Sequence, residues 1–501
     1  MKNYIMQHKG ELAARVALSM LGVLFVYFFS YSTSPLYPDY YGGDSAQFLT
    51  IGKAQMQGRI PYKEMFDHKG PFIFFIDMLG FMIAGSKSGV AIIQSLFIII
   101  TVNAIFDIAR LRSESSYFGL IVVVISLIIY KRNYVEGNCV EEYCLPFLAV
   151  STYFQMKFLY CKDKRHSPYV AMFYGIAFGI CAMTRITNGV MVCTGVLVIS
   201  VILLIQKQYA DLVRNALGFI LGFVLVCIPF AFYFLHHECF GDFLYGTFAY
   251  NFEYASKMLS WVKTPDSGNA VTFFKFYFSY WCIALAAVFA FSRKAHPIAL
   301  FYSLAFAMET YLFLSGQLFL QYPGICLPQV ALLFNELVPL DLKQSARSFA
   351  KLAVLPIIMI ICAYSIRNMA ESLNIYREYH AFEGTRGSYE YLLKQIPDDE
   401  LASFVAYGDN RFKGLYLAYD LTPAYKYFVI QEWHASFSEF VKNDIHSVFA
   451  NGDATWILTA GQTGCISDIL EERYVIHDSV DDYVLYRKNQ SHTNTASSGS
   501  S

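Results

Sequence analysis

Apolar runs long enough to cross a bilayer dominate the first 370 residues of the chain. After an N-terminal run that reaches about Ser34, they lie near 89–109, 117–130, 143–160, 169–184, 189–205, 215–235, 271–291, 296–314, 321–340 and 352–368. A membrane helix needs about 20 such residues, so the pattern predicts about eleven transmembrane helices. The first run ends in Pro35 and Pro38 without a small-residue cleavage site, which favours a retained span over a removed signal peptide.

Whether the apolar segment 71–85 counts as a span decides the direction in which all later predicted helices cross the membrane. It is short, it opens with Gly70-Pro71, and it carries Asp77, so we interpret it as a helix lying along the membrane. Basic residues then collect in the loops on the side of the N-terminus, among them Arg110, Arg112, Lys207, Arg214, Arg293 and Lys294. Such an excess marks the cytoplasmic side. We therefore expect a multi-pass protein of the bacterial cytoplasmic membrane with a cytoplasmic N-terminus.

The chain changes character after about residue 370. Short apolar strings at 404–407, 427–430, 456–458 and 483–486 predict strands, and the stretches near 386–395 and 433–450 predict helices. The result is a transmembrane domain over 1–368, with its first outward loop at 35–88, and a small α/β domain over 370–488 outside the cytoplasm. The polar tail 489–501 has no apolar anchor and is predicted to be disordered.

Composition narrows the class of protein. Apolar and aromatic residues make up 56% and charged residues only 15%, with 38 Lys+Arg against 39 Asp+Glu. This near-balance excludes nucleic acid as a partner, because a binder of its backbone needs a basic surface. The chain has no Walker sequence and no GxSxG elbow, which argues against ATP-driven transport and serine hydrolysis. The 17% of aromatic residues favours a groove at the membrane interface.

The first outward loop carries the most distinctive polar residues. Asp44 opens a helical stretch that runs to Gln57, and Asp67, His68 and Lys69 bring the chain back to the same membrane surface. A lone Asp before a helix is commonly an N-cap and nothing more. A carboxylate that faces basic groups at a lipid surface also suits a general base beside a phosphate.

Two further outward turns add charge. Glu136, Glu141 and Glu142 cluster at the mouth of one predicted span, and Arg185 with Asn188 follows another. The carboxylates suit either a solvated rim or hydrogen bonding to sugar hydroxyls. Arg185 opposes the inward bias of basic residues, so it indicates either an anionic partner such as phosphate or interfacial snorkelling.

The order of spans and the motifs of the first loop resemble the polytopic GT-C glycosyltransferases. Asp44 starting a juxtamembrane helix, followed by Phe66-Asp67-His68-Lys69-Gly70-Pro71, is similar to the bacterial branch that includes the lipid A aminoarabinose transferase and the protein O-mannosyltransferases. In that family the turn is closer to Phe-Glu-Lys-Pro, so the Asp-His-Lys triplet and Gly70 are departures. The resemblance implies a GT-C-like helical domain with an extracytoplasmic C-terminal domain.

The resemblance also implies a reaction, the inverting transfer of a sugar from a polyprenyl-phosphate donor. The partners would be that lipid-linked donor, membrane lipid, and an envelope glycan, lipid or protein as acceptor. Asp44 would be the catalytic base. The family pattern assigns the remaining substrate contacts to Asp67, His68, Lys69, Glu136, Glu141 and Arg185. No metal ligand is assigned, although Asp44, Asp67 and Glu136 could gather around a divalent cation.

Two other functions stay open at this stage. An envelope polysaccharide polymerase or ligase would also use outward Arg and acidic residues, with a long catalytic loop late in the chain. A transporter or flippase for lipid-linked sugars would place charges within its spans, and few are found, with Asp107 and Glu309 in or near predicted spans.

Overall fold

The structure is a computed structural model that describes residues 2–161, 165–258, 277–314, 319–338, 345–374 and 389–489. Helices form nearly all of the described chain up to residue 374. They are α1 (Lys2–Phe29), α2 (Asp44–Met56), α3 (Pro71–Ala84), α4 (Ser88–Ser113), α5 (Ser116–Tyr134), α6 (Val140–Tyr160), α7 (Pro168–Ala182), α8 (Val190–Ile205), α9 (Tyr209–His236), α10 (Phe240–Leu244), α11 (Tyr250–Met258), α12 (Phe278–Ser292), α13 (His296–Leu314), α14 (Leu327–Leu337) and α15 (Ser345–Leu373). Short 3-10 turns at Ile186–Gly189 and Tyr322–Cys326 and a π-helical turn at Tyr245–Ala249 connect some of them.

Several of these helices can span a membrane, which makes the chain a multi-pass membrane protein. Among the described residues, six helices are long and apolar enough by length and composition, and three shorter apolar helices, Pro71–Ala84, Pro168–Ala182 and Phe278–Ser292, accompany them. The predicted number of about eleven spans is larger and stays a prediction. Residues 259–276, which include the start of the predicted span 271–291, lie outside the described residues.

The apolar segment after Gly70 forms helix α3, which has 14 residues. Pro71 at its first position has no N–H to satisfy, and Gly85 ends it in a left-handed conformation with φ 64°. Ile73, Phe74 and Ile76 are buried, mainly against α2 and α4. Helix α3 therefore holds the first loop against the helical bundle.

Charged side chains join the helix ends that lie away from this loop. Arg15 of α1 pairs with Asp107 of α4 at 2.5 Å. Glu336 near the end of α14 is fully buried and pairs with Arg293 and Arg112. Buried charges persist in a protein when they are paired, so both clusters fasten the bundle at one end.

A small sheet follows in the C-terminal part of the chain, as predicted. Strands β1 (Phe404–Gly408), β2 (Trp456–Ala460), β3 (Tyr474–Val480) and β4 (Tyr483–Lys488) run in the order β1-β2-β4-β3. The β1–β2 pair is parallel and the other pairs are antiparallel. Short helices α16 (Leu415–Ala418), α17 (Gln431–Phe437), α18 (Glu439–Asn451) and α19 (Ser467–Arg473) complete this region.

Two details of the sequence prediction for this region are wrong. The apolar string 427–430 is not a strand, because Ile430 takes a left-handed conformation with φ 48° and helix α17 begins directly after it. The helix predicted near 433–450 is divided at Ser438, whose side chain caps α18 by accepting from the Val441 N–H. Strand β3 was not predicted, since its largely exposed residues lack an apolar alternation.

The predicted helix near 386–395 is partly described and is helical over 389–393. The predicted disordered tail falls on 490–501, which lie outside the described residues.

Polar contacts hold the sheet region against the outward loops of the helical part. The Phe66 N–H donates to the Lys426 carbonyl at 2.8 Å, and the Thr422 hydroxyl donates to the Gln57 side chain at 2.7 Å. The Lys426 ammonium also lies 3.4 Å from the carboxylate of Asp242 in α10. These contacts fix where the C-terminal residues lie relative to the first loop.

Candidate functional site

Asp44 is the first residue of helix α2, where a negative charge is favourable at the positive end of the helix dipole. The N-cap position belongs to Gly43, and no side chain caps the helix there. The Asp44 carboxylate instead accepts a hydrogen bond from the Lys413 ammonium at 2.7 Å. The N-cap interpretation therefore does not account for Asp44.

The carboxylate of Asp44 is reachable although protein atoms surround it. Its side chain is 50% exposed while that of Lys413 is 8% exposed, yet protein atoms surround Asp44 closely. That burial favours the neutral acid, but the charges of Lys413 and Lys69 outweigh it and lower the pKa of Asp44. Asp44 is consequently an ionised group that solvent or a substrate can reach.

Asp67, His68 and Lys69 occupy the turn just before α3. The Lys69 N–H donates to the Asp67 carboxylate at 2.8 Å. Tyr62, through its hydroxyl, donates to the Lys69 carbonyl at 2.6 Å, and the Asn251 amide donates to the His68 carbonyl at 2.7 Å. The turn is thus fixed by its own residues and by helix α11.

Burial controls the ionisation of this triplet. It raises the pKa of Asp67 to about 6, against the charge of Lys69. It also lowers the pKa of Lys69, and Asp67 and Asp44 oppose that change. The pKa of His68 falls well below its ordinary value because of burial and the Lys69 charge, so His68 is neutral. Its Nε2 can then accept from the Lys69 ammonium, 2.6 Å away.

Aromatic rings enclose His68 on several sides. Its ring centroid lies 5.7 Å from Tyr250, 5.9 Å from Tyr254 and 5.6 Å from Trp433. The first two belong to α11, and Trp433 comes from α17. Among the described residues, His68 Nδ1 has no hydrogen-bond partner, so one donor or acceptor remains for a ligand.

Glu136 holds the backbone that leads to Asp44. Its carboxylate accepts from the Gly43 N–H at 2.8 Å and from the Tyr40 hydroxyl. Gly42 is required here, because it has φ 75° and a Cβ would lie 2.7 Å from Glu136 Oε2 and 2.4 Å from Ser32 Oγ. The turn that carries Glu136 thereby fixes the backbone of the first outward loop next to Asp44.

Glu141 and Arg185 form a second ion pair in the site. Arg185 Nη1 lies 3.1 Å from Glu141 Oε1, and the guanidinium stacks on the Tyr322 ring at 3.4 Å from its centroid. The ion pair and the stacking contact together orient the Arg185 side chain. The third carboxylate, Glu142, turns away and accepts from Tyr134 at 2.7 Å.

Gly70 brings the first loop next to Arg185. Its N–H donates to the Thr184 carbonyl at 2.8 Å, and a Cβ at this position would lie 2.3 Å from the Met183 carbonyl. No side chain fits such a backbone contact. The glycine inserted before Pro71 thus places Lys69 near Arg185.

The structure therefore brings most of the predicted residues into one electrostatic neighbourhood. The charges of Asp67, Asp44, Arg185 and Glu141 all act on the Lys69 ammonium. Glu136 lies at the edge of this neighbourhood, where its carboxylate accepts from the N–H of Gly43, the residue before Asp44. Sequence reasoning missed Lys413, Trp433 and His434, which approach from the C-terminal region and carry no local motif.

The described side chains do not form a metal site. No group of three His, Cys, Asp or Glu residues in that part of the chain is arranged to hold a metal ion. Glu136, one of the three candidates, is bound to Gly43 and Tyr40 instead. We derive no step through a metal.

Solved structures of two membrane enzymes share the fold. ArnT from Cupriavidus metallidurans bound to undecaprenyl phosphate is 13% identical, with TM-score 0.57 over 95% of this chain and 98% of that one. The Archaeoglobus fulgidus oligosaccharyltransferase in its apo form is 12% identical, with TM-score 0.52 over 89% of this chain and 69% of that one. The same oligosaccharyltransferase tethered to an acceptor peptide containing the NVT sequon is 11% identical, with TM-score 0.51 over 90% and 69%.

These neighbours are GT-C glycosyltransferases, so the fold expected from the first loop is confirmed. A comparison with curated proteins finds no match. Residues 6–262, just over half of the chain, match the family described as "Putative competence-induced protein Ccs4 N-terminal domain". The chain therefore belongs to the Ccs4 family and has the fold of the GT-C glycosyltransferases.

Proposed function

We propose that the protein is an inverting glycosyltransferase that moves a sugar from a polyprenyl-phosphate donor to a cell-envelope glycan, lipid or protein. The fold supports a transferase in general. It is shared with a protein whose structure is bound to undecaprenyl phosphate and with one tethered to an acceptor peptide. The proposal extends those properties to this chain.

The observation that carries the proposal is the pairing of a reachable carboxylate with partly buried cations in one electrostatic neighbourhood. Asp44 is ionised and half exposed, and Lys69 and Arg185 lie in the same neighbourhood. Cations in such a place bind a phosphate, and a carboxylate beside them can take a proton from a hydroxyl.

The proposed reaction has one displacement step. The acceptor oxygen attacks the anomeric carbon, and the bond from that carbon to the phosphate oxygen breaks with inversion. Asp44 takes the acceptor proton. Lys69 and Arg185 stabilise the charge that the departing lipid phosphate gains.

The other residues orient these groups in the proposed mechanism. Asp67 and His68 bind sugar hydroxyls, for which His68 Nδ1 makes no hydrogen bond among the described residues, with the Asp67 carboxylate 3.6 Å away. Glu141 holds Arg185 in place at 3.1 Å. Glu136 was predicted to bind sugar, but its carboxylate already accepts from Gly43 and Tyr40, so we assign it the positioning of Asp44.

Charge placement supports a site on the outer face of the bacterial cytoplasmic membrane. Arg112 and Arg293 lie at the helix ends opposite to the site, and basic residues favour the cytoplasmic side. In this arrangement the N-terminus is cytoplasmic, about eleven spans make up 1–368, and the domain over 370–488 is extracytoplasmic.

An Asp44→Asn variant tests the proposal. We expect purified wild-type protein to transfer sugar from a polyprenyl-phosphate donor and the variant to lose about 10²–10⁴-fold in rate, the usual contribution of a positioned base. Asp39→Asn is the matched control, because Asp39 is an exposed aspartate of the same loop, and it should keep wild-type transfer. Full transfer by Asp44→Asn would remove Asp44 as the base.

The function itself is tested by the wild-type protein. Radiolabelled or mass-shifted envelope glycan, lipid or protein should appear only when the protein and a lipid-linked sugar are both present. A wild-type protein that transfers nothing from any polyprenyl-phosphate sugar contradicts the proposal.

A further inference from the structure

One side chain of the candidate site comes from the C-terminal region. Lys413 follows the 3-10 turn Asn410–Phe412 and is separated from Asp44 by 369 positions in sequence. Its side chain is 8% exposed, and its ammonium lies 2.7 Å from the Asp44 carboxylate. The two groups form an ion pair across the boundary between the helical part and the sheet region.

The backbone that carries Lys413 is firmly anchored. Phe412 beside it is fully buried and packs on the Tyr483 ring with centroids 6.0 Å apart. Arg411 in the same turn donates to Asp409 at 2.9 Å and to Asp482 at 2.5 Å. Any movement of the Lys413 ammonium must therefore come from its flexible four-carbon side chain.

The same region docks on the first loop at points away from the site. Lys53 of α2 pairs with Asp420, whose side chain is 92% exposed. Lys426 bridges Asp242 and Asp444 at 3.4 and 3.0 Å. These pairs fasten the domain without touching the site, so Lys413 is not needed for docking alone.

The position of Lys413 conflicts with a base that is ready to act. An ammonium hydrogen-bonded to Asp44 stabilises its ionised form and opposes proton uptake. The ammonium is also close enough to Lys69 and Asp67 for its charge to act on Asp67, His68 and His434. A phosphate bound between Lys69 and Arg185 would enter that field and attract the same ammonium.

We propose that Lys413 changes partner when the donor binds, leaving Asp44 for the donor phosphate and thereby freeing Asp44 to accept the acceptor proton. The inference rests on the proposed function. It makes the C-terminal region part of the phosphate site and couples donor binding to activation of the base. No covalent bond changes in this step, and only an ion pair is exchanged.

Binding of undecaprenyl phosphate tests the exchange without turnover. Its affinity is measured in detergent for the wild type, Lys413→Ala, Asp44→Asn and the double variant. We expect Lys413→Ala to weaken binding about tenfold, the scale of one charge-assisted hydrogen bond. Asp44→Asn should strengthen binding, because it removes both a competitor for Lys413 and a repulsive charge.

The double variant separates exchange from simple repulsion. If Lys413 changes partner, the gain from Asp44→Asn must be several-fold larger when Lys413 is present than when it is absent. Equal gains in the two backgrounds mean that Asp44 does not hold Lys413 back from the phosphate, and an unchanged affinity of Lys413→Ala means that Lys413 does not contact the phosphate. Either result overturns the inference.

A pH profile gives a readout that a merely structural lysine would not change. Loss of Lys413 should raise the pKa of Asp44 and move the acid limb of the transfer profile to higher pH, while Lys413→Arg should keep it near the wild-type position. Asp420→Asn and Lys426→Gln are controls that loosen docking only, and neither should shift that limb.

The outcomes for the inference and for the proposed function differ. A wild-type protein that binds undecaprenyl phosphate and transfers sugar, but shows no coupling between positions 44 and 413, refutes the exchange and leaves the function. A wild-type protein that neither binds the lipid nor transfers sugar refutes both.

Discussion

The carboxylate of Asp67 is expected to cost the protein stability at neutral pH. Its side chain is 2% exposed, and burial raises its pKa from 3.8 to about 6 even with the Lys69 charge nearby. Asp67→Asn keeps the size of the side chain and an oxygen that can accept from the Lys69 N–H. It removes only the charge that burial disfavours.

The sign and size of the effect follow from the two pKa values. Below about pH 4 Asp67 is protonated in both folded and unfolded protein, and its full contribution to stability is present. As pH rises toward and through about 6, the folded protein must ionise a buried acid and that contribution is lost. The difference of about 2 pH units corresponds to roughly 3 kcal/mol.

Asp67→Asn should therefore be more stable than the wild type by up to roughly 3 kcal/mol at pH 7.5, and by less than about 1 kcal/mol at pH 4. Unfolding in mixed detergent and dodecyl sulfate micelles, followed by the helical circular dichroism signal, measures both values. Asp39→Asn, which changes an exposed aspartate of the same loop, should show little difference at either pH.

A stability difference that does not depend on pH would refute this reasoning, as would a variant less stable than the wild type at pH 7.5. Activity should move in the opposite direction. In the proposed mechanism Asp67 binds a sugar hydroxyl, so the stabilised variant should transfer sugar more slowly. Such an exchange of stability for function is common at active sites.

Three further substitutions probe the geometry of the site through sugar transfer and unfolding. Gly70→Ala should reduce transfer at least tenfold, because its Cβ would lie 2.3 Å from backbone atoms and a misplacement of about 1 Å can cost about 10²-fold. Glu136→Gln should cost about 1–3 kcal/mol in stability, since an amide has one acceptor oxygen and cannot accept from both the Gly43 N–H and the Tyr40 hydroxyl. Arg185→Lys should fold normally but bind undecaprenyl phosphate about tenfold more weakly, because an ammonium lacks the planar fork that stacks on Tyr322.

Local patterns in the sequence predict much of the helical part. Bilayer-length apolar runs give the helices, and Gly70-Pro71 marks the start of α3, because proline suits the first turn of a helix and glycine permits the close approach before it. The positions of Asp44 at the start of α2 and of Arg185 just after α7 follow from the same pattern. Their mutual contacts do not, since those depend on how the bundle packs.

The errors arise where tertiary contacts override local preference. The string 427–430 has the β-branched and aromatic composition of a strand, yet the Phe66 N–H donates to the carbonyl of Lys426, directly before that string, and the chain turns at Ile430 into a helix. Lys413 could not be predicted for a related reason. Its partner lies 369 residues away, and no periodicity or motif links the two positions.

The pairing of charges explains why acids and cations share this site. A buried cation without a partner is costly, so a phosphate site made of lysine and arginine alone would weaken the fold whenever the donor is absent. Here Lys413 rests on Asp44 and Arg185 rests on Glu141, and Lys69 lies near Asp67. In the proposed exchange an arriving phosphate takes over Lys413, and the released Asp44 carboxylate becomes available for the acceptor proton, while Glu141 keeps Arg185 in place. The Lys413–Asp44 pair would then stabilise the empty site and make Asp44 reactive only when donor is bound.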